Sequence, residues 1–170
     1  MSFMKQMDFF GEGALDAIRS NWRTTIENEG GRCPCCDRFG KINAHSMIET
    51  MGLALLWLSR QPTDEQGFVD VTRAPAWFVK GKYSLLRHWD LTMKTDKPDD
   101  KTKGEGLWML TSKGQQFLRG QISIPKKVYI YDNCVQGFSS EEIYFCDTFG
   151  KHFVYAEVMS DSFNLASISI

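Results

Sequence analysis

The stretch AHSMIETMGLALLWLSR, residues 44 to 60, constrains the fold more than any other part of the chain. Met47, Met51, Ala54, Leu55 and Leu58 recur at helical spacing, and Leu53, Leu56 and Trp57 widen the stripe they form. A helix apolar over so much of its girth needs cover from several sides. A helix is therefore predicted from residue 44 to residue 60, at the centre of the core, with the rest of the chain wrapped about it. Met47 and Met51 read as gap-fillers there. The 170 residues, 42% of them hydrophobic, are enough to build such a core. The longest apolar run, Leu53 to Leu58, is far too short to span a bilayer, and Met1 to Phe10 has no signal-peptide character. No membrane association and a cytosolic location are expected.

The elements around this helix fall into a recognisable order. Phe9, Phe10, Leu15, Ile18, Trp22 and Ile26 predict a helix over residues 8 to 28, stopped by Glu29-Gly30-Gly31. After the central helix, QPTDEQG is a loop and GFVDV, residues 67 to 71, a short strand. A helix is expected from Ala74 to Val79, with Pro75 in its first turn and Gly81 as its stop. Another helix runs from Ser84 to Trp89, with Leu85, Leu86 and Trp89 inward. LTMK and GLWMLTS are strands flanking the polar loop TDKPDDKTKGEG, and Thr111 or Ser112 caps a helix that Gly120 closes. This order is that of a winged helix-turn-helix, and LLRHWDLTM…GLWMLTSKGQQFL resembles the Leu-Thr-x-x-Gly passage that follows the wing in many such proteins.

Beyond Gly120 the pattern changes. ISIPKKVYIYDN reads as a strand or hairpin turned at Asp132-Asn133, SSEEIYFCDTFGKHF opens with a helix-start signal, and FVYAEVM is a further strand or helix. Residues 160 to 170 are expected to form a loose tail. The expected fold is α+β: an N-terminal helix and Cys-x-x-Cys knuckle over residues 1–43, a winged helix-turn-helix core over 44–120, and a small C-terminal α/β appendage with an acidic tail over 121–170.

The net charge of −1 hides an asymmetry. Residues 1–70 carry seven basic and ten acidic side chains, residues 71–130 twelve and five, and residues 131–170 one and six. A basic middle between acidic ends is what an anion-binding face requires, although lysines on an ordinary solvated surface give the same count. In a winged helix the second helix of the motif enters the major groove and the wing lies along phosphates. That helix would expose Lys82, Tyr83, Ser84, Arg87 and His88. Arg87 has the planar fork that reads a guanine edge, while Lys80, Lys82 and Lys94 are suited to phosphates. Lys97, Lys101 and Lys103 in the loop are offset by Asp96, Asp99 and Asp100. The candidate DNA-binding set is therefore Lys80, Lys82, Ser84, Arg87 and Lys94.

The stretch GRCPCCDRFGK, residues 31 to 41, gathers three of the five cysteines around Pro34. Cys33 and Cys36 have the spacing of half a zinc knuckle, and Arg32, Arg38 and Lys41 favour their thiolates. A tetrahedral ion needs two more ligands, for which Cys35, His45, Cys134, Cys146 and His152 are candidates. Reduced structural cysteines and a redox pair are the competing readings, the latter without the βαβ surroundings a thioredoxin-like motif needs. No GxSxG, Walker-type glycine loop, GxGxxG or HExxH is present, and the three histidines are far apart in sequence. A Cys146–His152 dyad has little behind it. The chain reads as a non-enzyme.

A wider likeness runs through CPCCDRFGKINAH, LALLWL, APAWFVKGK, LLRHWDL, GLWMLTSKGQQFLRGQISIPKKVYIY and FGKHFVY. Over about residues 32 to 159 the chain resembles a group of uncharacterised tailed-bacteriophage proteins with a CPxC turn and a TxKGxxFxxG segment. It departs from them at Cys35, inside the knuckle, and at Asp90, where glycine is usual. The resemblance implies a viral protein acting in the host bacterial cytosol, without an activity attached. Three functions are open: a small DNA-binding regulator or accessory protein, a module that binds and inhibits or redirects a host protein complex, or a structural zinc protein without nucleic acid. For the second, the acidic C-terminal third would face a basic partner. No heptad run indicates a dimer.

Overall fold

The structure, a computed structural model, describes residues 12–95 and 106–169. The wing-loop residues Asp96, Lys97, Asp99, Asp100, Lys101 and Lys103 and the start of the first helix, with Phe9 and Phe10, lie outside them. The chain runs through α1 (Glu12–Asn28), β1 (Gly31–Arg32), β2 (Phe39–Gly40), β3 (Asn43–Ser46), α2 (Glu49–Arg60), β4 (Val69–Asp70) and a 3-10 turn, Val71–Arg73. Then follow α3 (Ala76–Lys80), a 3-10 segment Tyr83–Trp89, β5 (Thr92–Lys94), β6 (Leu107–Leu110), α4 (Ser112–Leu118), β7 (Ile124–Pro125), β8 (Lys127–Tyr131) and β9 (Cys134–Phe138). β10 (Glu142–Ile143), a 3-10 turn Phe145–Thr148, α5 (Tyr155–Val158) and a 3-10 turn Leu165–Ser167 complete it. The architecture is mixed α+β with several small sheets.

The described residues form two compact units, residues 12–44 with 129–136, and residues 45–95 and 106–128 with 137–169. In the first, α1 buries Ile26 and leaves Leu15 exposed. The Ile42 amide donates to the Ile26 carbonyl at 2.7 Å, tying the chain after β2 back to the helix. β1 and β2 pair antiparallel, Gly31 opposite Gly40 and Arg32 opposite Phe39, and so bring the ends of the cysteine turn together.

In the second unit α2 is central, as its sequence demands. Every residue from Met51 to Leu58 is buried, four of them completely. Burying one such leucine contributes about 1.5–3 kcal/mol, so this helix dominates the core. Trp57, Phe78, Tyr83 and Trp108 form a chain of ring contacts with centroids 4.4–5.1 Å apart. The sheet order is β4–β6–β5, both pairs antiparallel. β6 leads into α4 through Thr111, whose hydroxyl accepts the Gly114 amide at 3.0 Å. Gly114 has to be glycine, because a Cβ there would collide with the Leu91 carbonyl. The Leu-Thr-x-x-Gly pattern is thus a cap and a close approach in one.

Several boundaries differ from those the sequence suggests. The central helix starts at Glu49 rather than residue 44, because Asn43–Ser46 is extended and the Met47 amide is taken by the Lys126 carbonyl. Pro75 is the residue before α3 rather than inside its first turn. The segment 83–89 is a 3-10 helix rather than an α-helix, held between left-handed residues Lys82 (φ 58°) and Asp90 (φ 59°). Asp90 therefore holds a positive φ, which aspartate tolerates better than most residues. Ser139 and Ser140 start no helix. The Ser139 hydroxyl instead accepts the Lys127 amide, and β10 pairs with β7. The tail is not loose up to residue 169: Leu165 is buried and its carbonyl accepts the Trp77 indole N–H at 2.8 Å. The Asp132–Asn133 turn, both residues at positive φ, is as expected for a two-residue hairpin.

Candidate functional site

Lys80, Lys82, Ser84 and Arg87 cluster because α3 ends at Lys80, Gly81 accommodates the tight turn, and the 3-10 segment begins after Lys82. All four are exposed. A 3-10 helix has three residues per turn, so Ser84 and Arg87 lie on one face. Leu86 and Trp89 face inward and are completely buried, and the Trp89 indole donates to the Pro125 carbonyl at 2.7 Å. The exposed face is thereby rigidly anchored. Tyr83, expected at the surface, is half-buried against Phe78, and burial pushes its hydroxyl pKa up. His88 is also half-buried. Burial first, then the charges of Arg87 and His45, hold its pKa below the ordinary value and favour the neutral ring. Lys94 pairs across the sheet with Trp108 and shares the strand face of buried Thr92; it is half-buried rather than open.

The cysteine turn is built differently. The Cys33 amide donates to the Arg38 carbonyl and the Asp37 amide to the Cys33 carbonyl, both at 2.9 Å, closing a tight loop. Arg32 holds Asp37 through its carbonyl and its carboxylate, at 2.9 and 3.1 Å. Backbone amides of Cys35, then Cys36, hydrogen-bond to the Cys33 sulfur and lower its thiol pKa. Cys33 is half-buried, while Cys35, Cys36, Cys134 and Cys146 are exposed, and all five are free thiols. Among the described residues no three His, Cys, Asp or Glu side chains are grouped so as to hold a metal ion. Two sequence candidates for the missing ligands are accounted for otherwise. The Cys146 thiol lies against Asp147, and His152 is held by Glu49.

Glu49 is the residue the sequence did not single out. Its side chain is buried at the start of α2, beneath the loop from Gly150 to Phe153. One carboxylate oxygen accepts the amides of Gly150, Lys151, His152 and Phe153 at 3.0, 2.7, 2.9 and 3.3 Å. The other accepts His152 Nδ1 at 2.9 Å, which fixes the hydrogen on that nitrogen when the ring is neutral. Burial pushes the Glu49 pKa up, but the hydrogen bonds from His152, Lys151 and Phe153 outweigh it and hold the group at about 2. Glu49 is ionised throughout the physiological range. The cues in sequence are only a lone acid at the head of an apolar helix and Gly150, which adopts φ 125°.

No protein-family model, curated protein or solved structure matches this chain. The functional reading rests on the chain's own residues.

Proposed function

We propose that the protein is a non-enzymatic, phage-encoded DNA-binding regulator or accessory factor built on a winged helix. The observation that carries this reading is the exposed set Lys80, Lys82, Ser84 and Arg87 on one buttressed turn. Its support is the run α2–β4–α3–(83–89)–β5–β6 and the strand order β4–β6–β5, an order compatible with a winged helix. On this reading the 83–89 segment would correspond to the groove-reading helix. Arg87 would read a base edge, and Lys80, Lys82 and Lys94 would contact phosphates. The viral origin rests on the sequence resemblance alone. Fluorescence anisotropy with mixed-sequence duplex DNA, from about 50 to 200 mM salt, tests the proposal. Several phosphate contacts should cost orders of magnitude in affinity across that range, and Lys82→Ala with Arg87→Ala should abolish binding. Flat, negligible binding at low salt would overturn it.

A second reading, a module that binds a host protein complex, is favoured by a different observation. Tyr144, Val154, Tyr155 and Met159 are large exposed apolar side chains in a region where only Lys151 opposes Glu141, Glu142, Asp147, Glu157 and Asp161. Such a surface suits a basic partner. Loss of a captured host partner on Tyr144→Ser with Val154→Ser, with DNA binding absent, would favour it. In either case Cys33 and Cys36 are proposed as half of a zinc site. Metal content measured on the purified chain, with and without Cys33→Ser, tests that assignment.

A further inference from the structure

A cavity of about 530 Å³ opens beside the start of α2, lined by Met47, Ile48, Lys151, His152 and Phe153, with Thr148. It belongs to neither the basic turn nor the cysteine turn. Three features of its wall point the same way. First, α2 begins without a cap: Ile48 has no side chain that can accept a hydrogen bond. The Glu49 and Thr50 amides, among the first orphan donors of the helix, have no protein partner among the described residues. These residues too line the cavity. Second, Thr148 is buried to 7% exposure, and its hydroxyl has no hydrogen-bond partner among the described residues. A buried orphan hydroxyl carries a desolvation cost unless something in the cavity pairs with it. Third, Lys151 and His152 stand at the rim with their side chains exposed.

Among the described residues that line it, Glu49 carries the only carboxylate. It already accepts four backbone amides and the His152 ring, so its charge is answered from the loop side. What remains for a ligand is a set of donors, a cationic rim and apolar walls from Met47, Ile48 and Phe153.

We propose that this cavity binds a small organic carboxylate with an apolar body. The carboxylate would accept the free amides at the α2 start and the Thr148 hydroxyl, with Lys151 beside it. The apolar body would lie against Met47, Ile48 and Phe153. Inorganic phosphate shares the anionic end but has nothing to place on those walls, and a neutral alcohol of equal length shares only the walls.

Titration of the full ¹⁵N-labelled chain with hexanoate, hexanol and inorganic phosphate, followed by amide chemical shifts, distinguishes the three. Hexanoate is expected to shift the Glu49, Thr50 and Lys151 amides saturably, and hexanol or phosphate to do so far more weakly. Lys151→Met, at an exposed site that leaves the fold intact, should weaken hexanoate about two- to fivefold. Thr148→Val should weaken it further without weakening hexanol. No saturable shift with hexanoate, equal binding of hexanol, or tighter binding of phosphate would each overturn the proposal.

Discussion

Glu49 and Cys33 use the same device in two settings. Each is an acidic side chain gripped by consecutive backbone amides of a tight turn: Gly150 to Phe153 around the carboxylate, Cys35 and Cys36 around the sulfur. The first is buried at the head of the helix that organises the core, and the second sits in an exposed hairpin turn. Burial decides what the device is for. Removing a carboxylate from water is costly, so the amides around Glu49 are indispensable and the cluster holds α2 to the 150–153 loop. At the exposed turn water could serve as well, so the amides change the sulfur's chemistry more than the fold's stability.

The largest test of this contrast is Glu49→Gln. The amide keeps one acceptor but turns an NH₂ toward the loop's donors, which should cost about 2–4 kcal/mol in denaturant unfolding with the slope unchanged. A loss under about 0.5 kcal/mol would break the comparison. The next largest is pH dependence. The folded Glu49 pKa, about 2, lies below its ordinary 4.5, so its stabilisation is fully present above pH 4.5. It is lost as pH falls from 4.5 towards 2, because the unfolded chain takes up the proton first. The loss should be about 1–3 kcal/mol and absent in Glu49→Gln, as read from thermal unfolding at several pH values. The smallest stability effect belongs to Cys33→Ser, expected within about 0.5 kcal/mol of the parent in metal-free protein. Its sharper readout is alkylation: the amides that lower the Cys33 thiol pKa should make it react with iodoacetamide at neutral pH faster than Cys134 or Cys146. Equal rates would mean the amides do nothing for the sulfur.

Much of the framework was legible because it is local. The girth of α2 announced its burial, and Thr111 announced a cap because Thr-x-x-Gly places a hydroxyl over the Gly114 amide. Asp132-Asn133 announced a hairpin because both residues tolerate positive φ. The 3-10 character of residues 83–89 was not legible, since its apolar spacing fits either helix and only the left-handed residues at each end decide between them. The docked tail was missed for another reason: Leu165 is held by Trp77, far away in the chain.

The same division runs through the candidate sites. Sequence alone determined that a very apolar helix would be central, that a basic segment would follow it, and that three thiols would share one turn. These follow from residue type and from spacings of a few positions. Tertiary structure alone decided that Glu49 would meet a loop some hundred residues later, that Thr148 would be buried without a partner among the described residues, and that Lys94 would turn half inward. Each depends on which distant segments the core brings together, and a side chain's environment at that range is set by packing rather than by its neighbours in sequence.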